Sequence, residues 1–320
     1  MRVAVIVNAG AGSISYEKCE DRVREIQARF EEIGIETEIF LCEPERLTAT
    51  ARRAATHAVD AVVAAGGDGT VSAIAAGLVG GARPLAVLPL GTLNHFARDL
   101  GMPTDLGDAV RAIATAERTT LDVAEVNGRV FINNSSIGLY PEAVRLRDEQ
   151  RETHGRGKWL AMMIAAFRVL KRFRKLSVLV DTPHGRVAAI TPFVFVGNNE
   201  YGTSLGSLGK RSTLDRGRLS LFTVRCRGRL HMLYVLARAL FGRTEEVREL
   251  EAGLVTEINV ATRHRQLDVA LDGETTRMGT PLRYRIRPGA LVALVPSAAQ
   301  PTVAPPEAVD AAPERTAVSA

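Results

Sequence analysis

Cysteine is scarce. Cys19, Cys42 and Cys226 are scattered over 320 residues and form no C-x-x-C pair. That argues against a disulfide scaffold or a zinc site and is compatible with a reducing compartment. The six histidines are equally dispersed, so no structural transition metal is expected. Lysine is rare as well: five of the 41 basic residues are lysine, an arginine bias that reflects genome composition as much as function. No run of about eighteen apolar residues occurs, so no membrane-spanning segment is expected. The opening Met1-Arg-Val-Ala-Val-Ile-Val7 is too short for a signal-peptide core and runs straight into Asn8 and a glycine turn. There is no internal repeat at solenoid spacing. No basic run is interleaved with exposed aromatics, which argues against a nucleic-acid binder.

What remains is globular composition, 46% apolar and 24% charged, in a chain long enough for one large or two ordinary domains. Net charge is +5. The final residues carry Glu307, Asp310 and Glu314 against Arg315, so the positive excess sits on the body of the chain. A modest positive excess suits an anionic surface without selecting which one.

The chain is organised around Asp60-Ala-Val-Val-Ala-Ala-Gly-Gly-Asp-Gly-Thr70. Ala61 to Ala65 reads as a buried strand, Gly66 to Thr70 as a turn, and Val71 to Leu78 as a helix with Val71, Ile74 and Leu78 on one face. Strand, glycine turn and helix present backbone N–H groups to an anion at a helix N-terminus. A carboxylate at the tip, Asp68, repels phosphate unless a divalent cation lies between them, so the chemistry implied is a nucleotide with Mg2+. For one such turn taken alone, the alternative is a tight turn with Asp68 or Thr70 capping the helix.

A second stretch, Leu85-Ala-Val-Leu-Pro-Leu-Gly-Thr-Leu-Asn-His-Phe-Ala-Arg-Asp-Leu-Gly101, repeats the layout. Gly66-Gly-Asp-Gly-Thr70 followed by Pro89-Leu-Gly-Thr-Leu-Asn94 resembles the diacylglycerol kinase catalytic-domain family, which includes bacterial lipid kinases and sphingosine and ceramide kinases. The resemblance covers nearly the whole chain before residue 298. It implies ATP and Mg2+ as cofactors, with Asn8, Gly12, Gly66, Gly67, Asp68, Gly69, Thr70, Gly91, Thr92, Asn94 and Glu274 around the nucleotide and Asp68 towards the metal. The loop Asn8-Ala-Gly-Ala-Gly-Ser13 keeps part of the family's Asn-Pro-x-Ser-Gly pattern. Four positions depart from the family: Ala9 for proline, Cys42 for threonine, His95 for aspartate after the asparagine, and Arg216 for aspartate in Leu214-Asp-Arg-Gly-Arg-Leu219. Asp215 remains there as a candidate ligand of a second Mg2+, but a cation beside Arg216 is disfavoured by like charge.

Along the chain, strand–helix alternation gives way to a run of strands. Expected helices are Tyr16 to Ile33, Leu47 to His57 and Asp105 to Ala116. Leu121 to Val126, Asn127-Gly128 and Arg129 to Asn133 form a hairpin signal. Strand patterns follow at Leu176 to Asp181, Arg186 to Gly197, Arg218 to Arg225, Leu254 to Ala261, Gln266 to Leu271, Pro281 to Arg287 and Ala290 to Val295. The expected fold is an α/β nucleotide-binding domain over residues 1–121 and a mainly antiparallel β-sandwich over 122–297, with a return of its last strand to the first domain left open. A disordered Ala/Pro/Val/Glu-rich tail is expected over 298–320. Basic amphipathic helices at Lys158 to Lys175 and His231 to Arg243 suit either a membrane interface or the cover of a sheet.

In Asp272-Gly273-Glu274 the Asp-Gly pair reads first as a hairpin turn. The resemblance implies more: Asp272 matches the family's general base for the lipid hydroxyl, acting with Asp68 in catalysis. Asp122 matches an aspartate of the domain junction, with a hinge role equally open. Asn133 to Gly138 and Gly197 to Gly202 match loops facing the cleft. The implied activity is an ATP-dependent lipid kinase of phospholipid biosynthesis, acting on a diacylglycerol-like or sphingoid-type lipid. It would be cytoplasmic, held peripherally at the inner face of the membrane, with a homodimer open. The alternatives are an NAD kinase-like enzyme, which shares the Gly-Gly-Asp-Gly-Thr loop, and a catalytically inactive lipid-binding or regulatory protein.

Overall fold

The computed structural model describes residues 1–9, 16–138, 176–183, 185–202, 211, 213–224 and 250–297. Gly12, the two basic helices expected near 158–175 and 231–243, and the tail from 298 lie outside the described residues.

Four short apolar strands make the parallel heart of the first layer. They are β1 (Arg2–Asn8), β2 (Glu36–Cys42), β3 (Ala61–Gly66) and β4 (Leu85–Pro89), in the order β2-β1-β3-β4. Every residue of β3 and β4 is buried, as strands covered on both faces by helices require. The covering helices are α1 (Tyr16–Glu31), α2 (Leu47–Ala54), α3 (Asp68–Leu78), α4 (His95–Asp99) and α5 (Leu106–Thr115). α1 and α2 end earlier than apolar periodicity alone predicts. Gly34, in the left-handed region, turns the chain out of α1, while Ala55 to His57 close α2 with turn hydrogen bonds. Asp105 caps α5 by accepting from the Asp108 N–H.

β5 (Glu117–Val126) leaves this layer, turns through Asn127-Gly128, both at positive φ, and returns as β6 (Arg129–Phe131). β5 feeds both cores: Leu121 and Val123 pack with the helices, Ala124 and Val126 with the second core.

The second layer is an antiparallel sheet of six strands in the order β12-β11-β10-β7-β14-β15. Here β7 is Asn134–Gly138, β10 Phe193–Asn198, β11 Leu219–Val224, β12 Leu250–Val255, β14 Gln266–Leu271 and β15 Glu274–Gly279. It faces β8 (Leu176–Thr182), β9 (Gly185–Thr191), β13 (Glu257–Thr262) and β16 (Leu282–Val295), which continue the first sheet. Val178, Val196, Val260, Val269, Leu282 and Tyr284 fill the space between the two sheets, giving a mostly antiparallel β domain beside the α/β one.

Three strand expectations change. The run Arg186 to Gly197 splits at Pro192, where the chain passes from β9 in one sheet to β10 in the other; proline cannot donate to a ladder and marks the crossing. The run Leu254 to Ala261 likewise divides at Thr256 into β12 and β13. Pro281 to Arg287 and Ala290 to Val295, expected as two strands, are one strand of 14 residues with a register shift between Arg287 and Leu291. That strand pairs antiparallel with β5 along its length and reaches β4 in parallel through Ala293 and Leu85. It ties the last described strand into the first domain.

Candidate active site

The site lies where the first turn of α3 meets the β14–β15 turn. Gly67 is the N-cap of α3 and has no side chain to cap the opening amides, which leaves the N–H groups of the first turn for another acceptor. The packing of this turn demands glycine at Gly66 and brings Glu274 close to Gly69. A Cβ on Gly66 would meet Thr70 side-chain atoms at 2.6 Å, and one on Gly69 would stand 2.9 Å from Glu274 Oε1. The Glu274 carboxylate therefore lies against the glycine turn although it belongs to the second domain. Thr70 is buried, and its Oγ1 accepts from Asn8 Nδ2 at 3.0 Å, joining the end of β1 to α3.

Asp68 opens α3, and its Oδ1 accepts from the Phe96 N–H at 3.2 Å. It thus holds the start of α4 and the second glycine turn in place. Within that turn Asn94 adopts a left-handed conformation at φ 49 and is buried. Its Oδ1 accepts from Gly91 N at 3.0 Å, and its Nδ2 donates to Pro89 O at 3.2 Å and Gly91 O at 2.8 Å. Expected beside the nucleotide, Asn94 spends its amide on the loop's own backbone. It shapes the loop that presents Gly91 and the exposed Thr92.

Asp272 sits at φ 47 in the turn between β14 and β15. Its Oδ1 accepts from the N–H groups of Asn133 at 2.8 Å and Asn134 at 3.0 Å. Its Oδ2 accepts from Ile132 N at 2.9 Å and from Ser72 Oγ at 2.5 Å. Burial pushes the carboxyl above the ordinary carboxylate range, while the Ser72 hydroxyl and the three backbone donors pull the other way. Ser72 follows Asp68 by four residues, so both lie on one face of α3, separated by about 6 Å along the axis. The carboxylate expected as base and the carboxylate expected at the metal are therefore linked through one turn of one helix.

A buried cation braces this meeting. Arg211 donates from Nε and Nη2 to Asp99 Oδ2 at 2.8 and 2.5 Å, from Nη2 to Asn133 Oδ1 at 2.8 Å, and from Nη1 to Ile132 O at 2.5 Å. Its guanidinium also lies over the rings of Phe96 and Tyr201. It connects the last residue of α4 to the segment whose amides hold Asp272. Asp122 serves the junction similarly: its carboxylate accepts from Gly217 N at 2.6 Å and Gly289 N at 2.8 Å, so its role is to clamp two chain turns.

The segment Asn133 to Gly138, expected as a polar loop at the cleft, is largely β7, a central strand with Ser135 and Ser136 buried. Only its start faces the site. Gly197 to Gly202 closes the end of β10. There Tyr201 donates from its hydroxyl to Asn133 O at 3.0 Å. Asp215 is exposed, and among the described residues no group of three or more His, Cys, Asp or Glu side chains gathers to hold a metal ion. Sequence reading missed Ser72 and Arg211. The spacing of Ser72 from Asp68 was available as a signal; nothing in the sequence marks Arg211.

Known proteins resemble this chain in sequence and fold. The family model of the diacylglycerol kinase catalytic domain matches residues 2–126. The chain is 24% identical over 277 residues to a diacylglycerol kinase of Staphylococcus haemolyticus, covering 84% of this chain and 81% of that one. It is 34% identical over 146 residues to a diacylglycerol kinase of Bacillus subtilis, covering 44% and 47% respectively. A crystal structure of a diacylglycerol kinase from Bacillus anthracis shares the fold, with a TM-score of 0.66 at 22% identity over 93% of this chain and 98% of that one. The glycine turns of α3 and α4 both lie inside residues 2–126, the region that matches the diacylglycerol kinase catalytic domain.

Proposed function

We propose that this chain is an ATP- and Mg2+-dependent lipid kinase, transferring the γ-phosphate to the hydroxyl of a diacylglycerol-like or sphingoid-type lipid. The observation that carries the reading is the hydrogen bond between Ser72 and Asp272. It brings a carboxylate with a raised pKa to the helix that begins at the Gly66–Thr70 turn. Phosphoryl transfer asks a protein mainly for positioning and charge stabilisation, and both are supported here. The amides of the α3 first turn and the Gly91–Thr92 turn would hold the phosphates, and Asp272 would take the proton of the attacking hydroxyl.

The residues present fit Mg2+. The ion is commonly held in phosphotransferases by one or two carboxylates together with phosphate oxygens rather than by a protein cage. Asp68, at the tip of the turn, is the carboxylate that would hold it, with Glu274 close beside. When bound, the ion neutralises charge on the phosphates. Asp68 also fixes α4 through Phe96, so the group meeting the ion also orders the second turn. Among the described residues no helix is long and apolar enough to cross a membrane. A lipid acceptor would be met at the membrane surface, and peripheral contact with the inner leaflet belongs to this proposal.

The test is transfer of label from γ-labelled ATP to a mixed lipid extract in micelles, with Mg2+ and with chelator. Label in an organic-extractable product, only with Mg2+, is the expected result, and the product identifies the acceptor. Label in a water-soluble product would replace the lipid with a polar acceptor such as NAD. ATP binding with no transfer to anything would point to a regulatory protein.

A further inference from the structure

We propose that Ser72 is a proton relay, the hydroxyl through which Asp272 takes the proton of the acceptor alcohol; the proposal rests on the kinase reading above. Asp272 offers two oxygens, each able to accept about two hydrogen bonds. All four places are filled: Oδ1 by Asn133 N and Asn134 N, Oδ2 by Ile132 N and Ser72 Oγ. Three of the four donors are backbone amides of one short segment, which is itself pinned by Arg211 on Ile132 O and Asn133 Oδ1 and by Asn198 Nδ2 on Ile132 O. An arriving alcohol finds no open acceptor position on the carboxylate.

The fourth donor differs in kind. A serine hydroxyl donates one proton and keeps two lone pairs, so Ser72 can donate to Asp272 and accept from the alcohol at once. Its bond to Oδ2, at 2.5 Å, lies in the short range of hydroxyl-to-carboxylate bonds. Ser72 is half-buried rather than sealed, and it stands on the helix face that begins with Asp68. The alternative is for Ser72 to swing away and yield its place. That would strand Oδ2 with a single donor and break the one bond that carries the second domain's carboxylate to α3.

The step balances. The alcohol O–H proton passes to Ser72 Oγ as the Ser72 proton passes to Asp272 Oδ2. The alcohol oxygen bonds to the γ-phosphorus of the nucleoside triphosphate, and the bond from that phosphorus to the bridging oxygen breaks. The nucleoside diphosphate leaves with the electron pair. Asp272 then gives its proton to solvent, and the Ser72 hydroxyl stands as it began.

The experiment compares Ser72→Ala, Ser72→Thr and Ser72→Val in the full chain. Ser72→Ala is expected to lower kcat for lipid phosphorylation by on the order of 100-fold, the low end of a general acid–base contribution, with nucleotide affinity unchanged. Thr keeps the hydroxyl and Val, its near-isostere, lacks it, so Thr is expected to stay active and Val to fall with Ala. This pair decides even where Ala disturbs folding. A second readout needs no turnover: with neither nucleotide nor metal present, the Asp272 carboxyl followed by carbon-13 NMR should titrate at higher pH in Ser72→Ala, since a donor to the charged form is gone. Equal kcat in the Thr and Val variants, or an unmoved titration, overturns the relay and leaves the kinase reading standing. A wild-type protein that labels no lipid overturns both.

Discussion

Gly67 and Gly91 meet backbone to backbone. A Cβ on Gly91 would stand 2.5 Å from the Gly67 Cα, and one on Gly67 would stand 3.3 Å from the Gly91 Cα. The two glycine turns are therefore one surface, built by removing side chains at the point of contact. Leu90 N also donates to Gly66 O at 3.1 Å, holding the turns together. Gly91→Ala drives its methyl into backbone that cannot rotate away. It is expected to destabilise the fold by about 1–3 kcal/mol, the usual cost of overpacking, and to weaken nucleotide binding. Gly67→Ala, with a longer contact, should cost less. Thermal melts and a nucleotide titration on both variants check the order.

Arg211 predicts a loss of a different kind. Its side chain is 1% exposed and that of Asp99 18%, so Arg211→Ala leaves a mostly buried carboxylate without its donor and the Ile132 carbonyl with Asn198 Nδ2 alone. Breaking such a pair costs roughly 3–5 kcal/mol. Because Asn133 also loses its partner, the amides that hold Asp272 should loosen. Denaturant unfolding and hydrogen exchange at Asn133 and Asn134 measure both effects; stability equal to wild type would show that the brace contributes nothing.

These two cases also mark what can be read in a sequence. The Gly66–Thr70 turn was legible because an apolar strand and a periodic helix flank it within twenty residues. Asn127-Gly128 was legible for the same local reason. The Asp272 environment was not: its donors are a serine 200 residues away and three amides about 140 residues away, and amides carry no side-chain signature. β7 was misread because Ser135 and Ser136 look like loop residues, although Ser135 is satisfied inside the sheets by the Tyr284 hydroxyl at 3.1 Å. The last strand was misread as two because Pro288-Gly289 looks like a turn and acts as a bulge.

The raised carboxyl of Asp272 sets a pH dependence. A base works only when ionised, so kcat should fall as pH drops through the folded-state pKa, and that midpoint should lie above the usual carboxylate value of about 4. The stability sign is opposite. A carboxyl whose pKa is higher folded than unfolded favours the fold at low pH and loses that contribution as pH rises through the folded value. Rate profiles and melts over the same buffers should cross in this sense. An acid limb at or below the ordinary carboxylate range would contradict the burial that raises it.

The most direct measurement is a single-turnover comparison of wild type and Asp272→Asn, with nucleotide saturating and its binding measured separately. If Asp272 is the base, the variant binds nucleotide as wild type does and phosphorylates lipid slower by at least about 100-fold. Transfer by Asp272→Asn at the wild-type rate would contradict the assignment of this carboxylate to the chemistry.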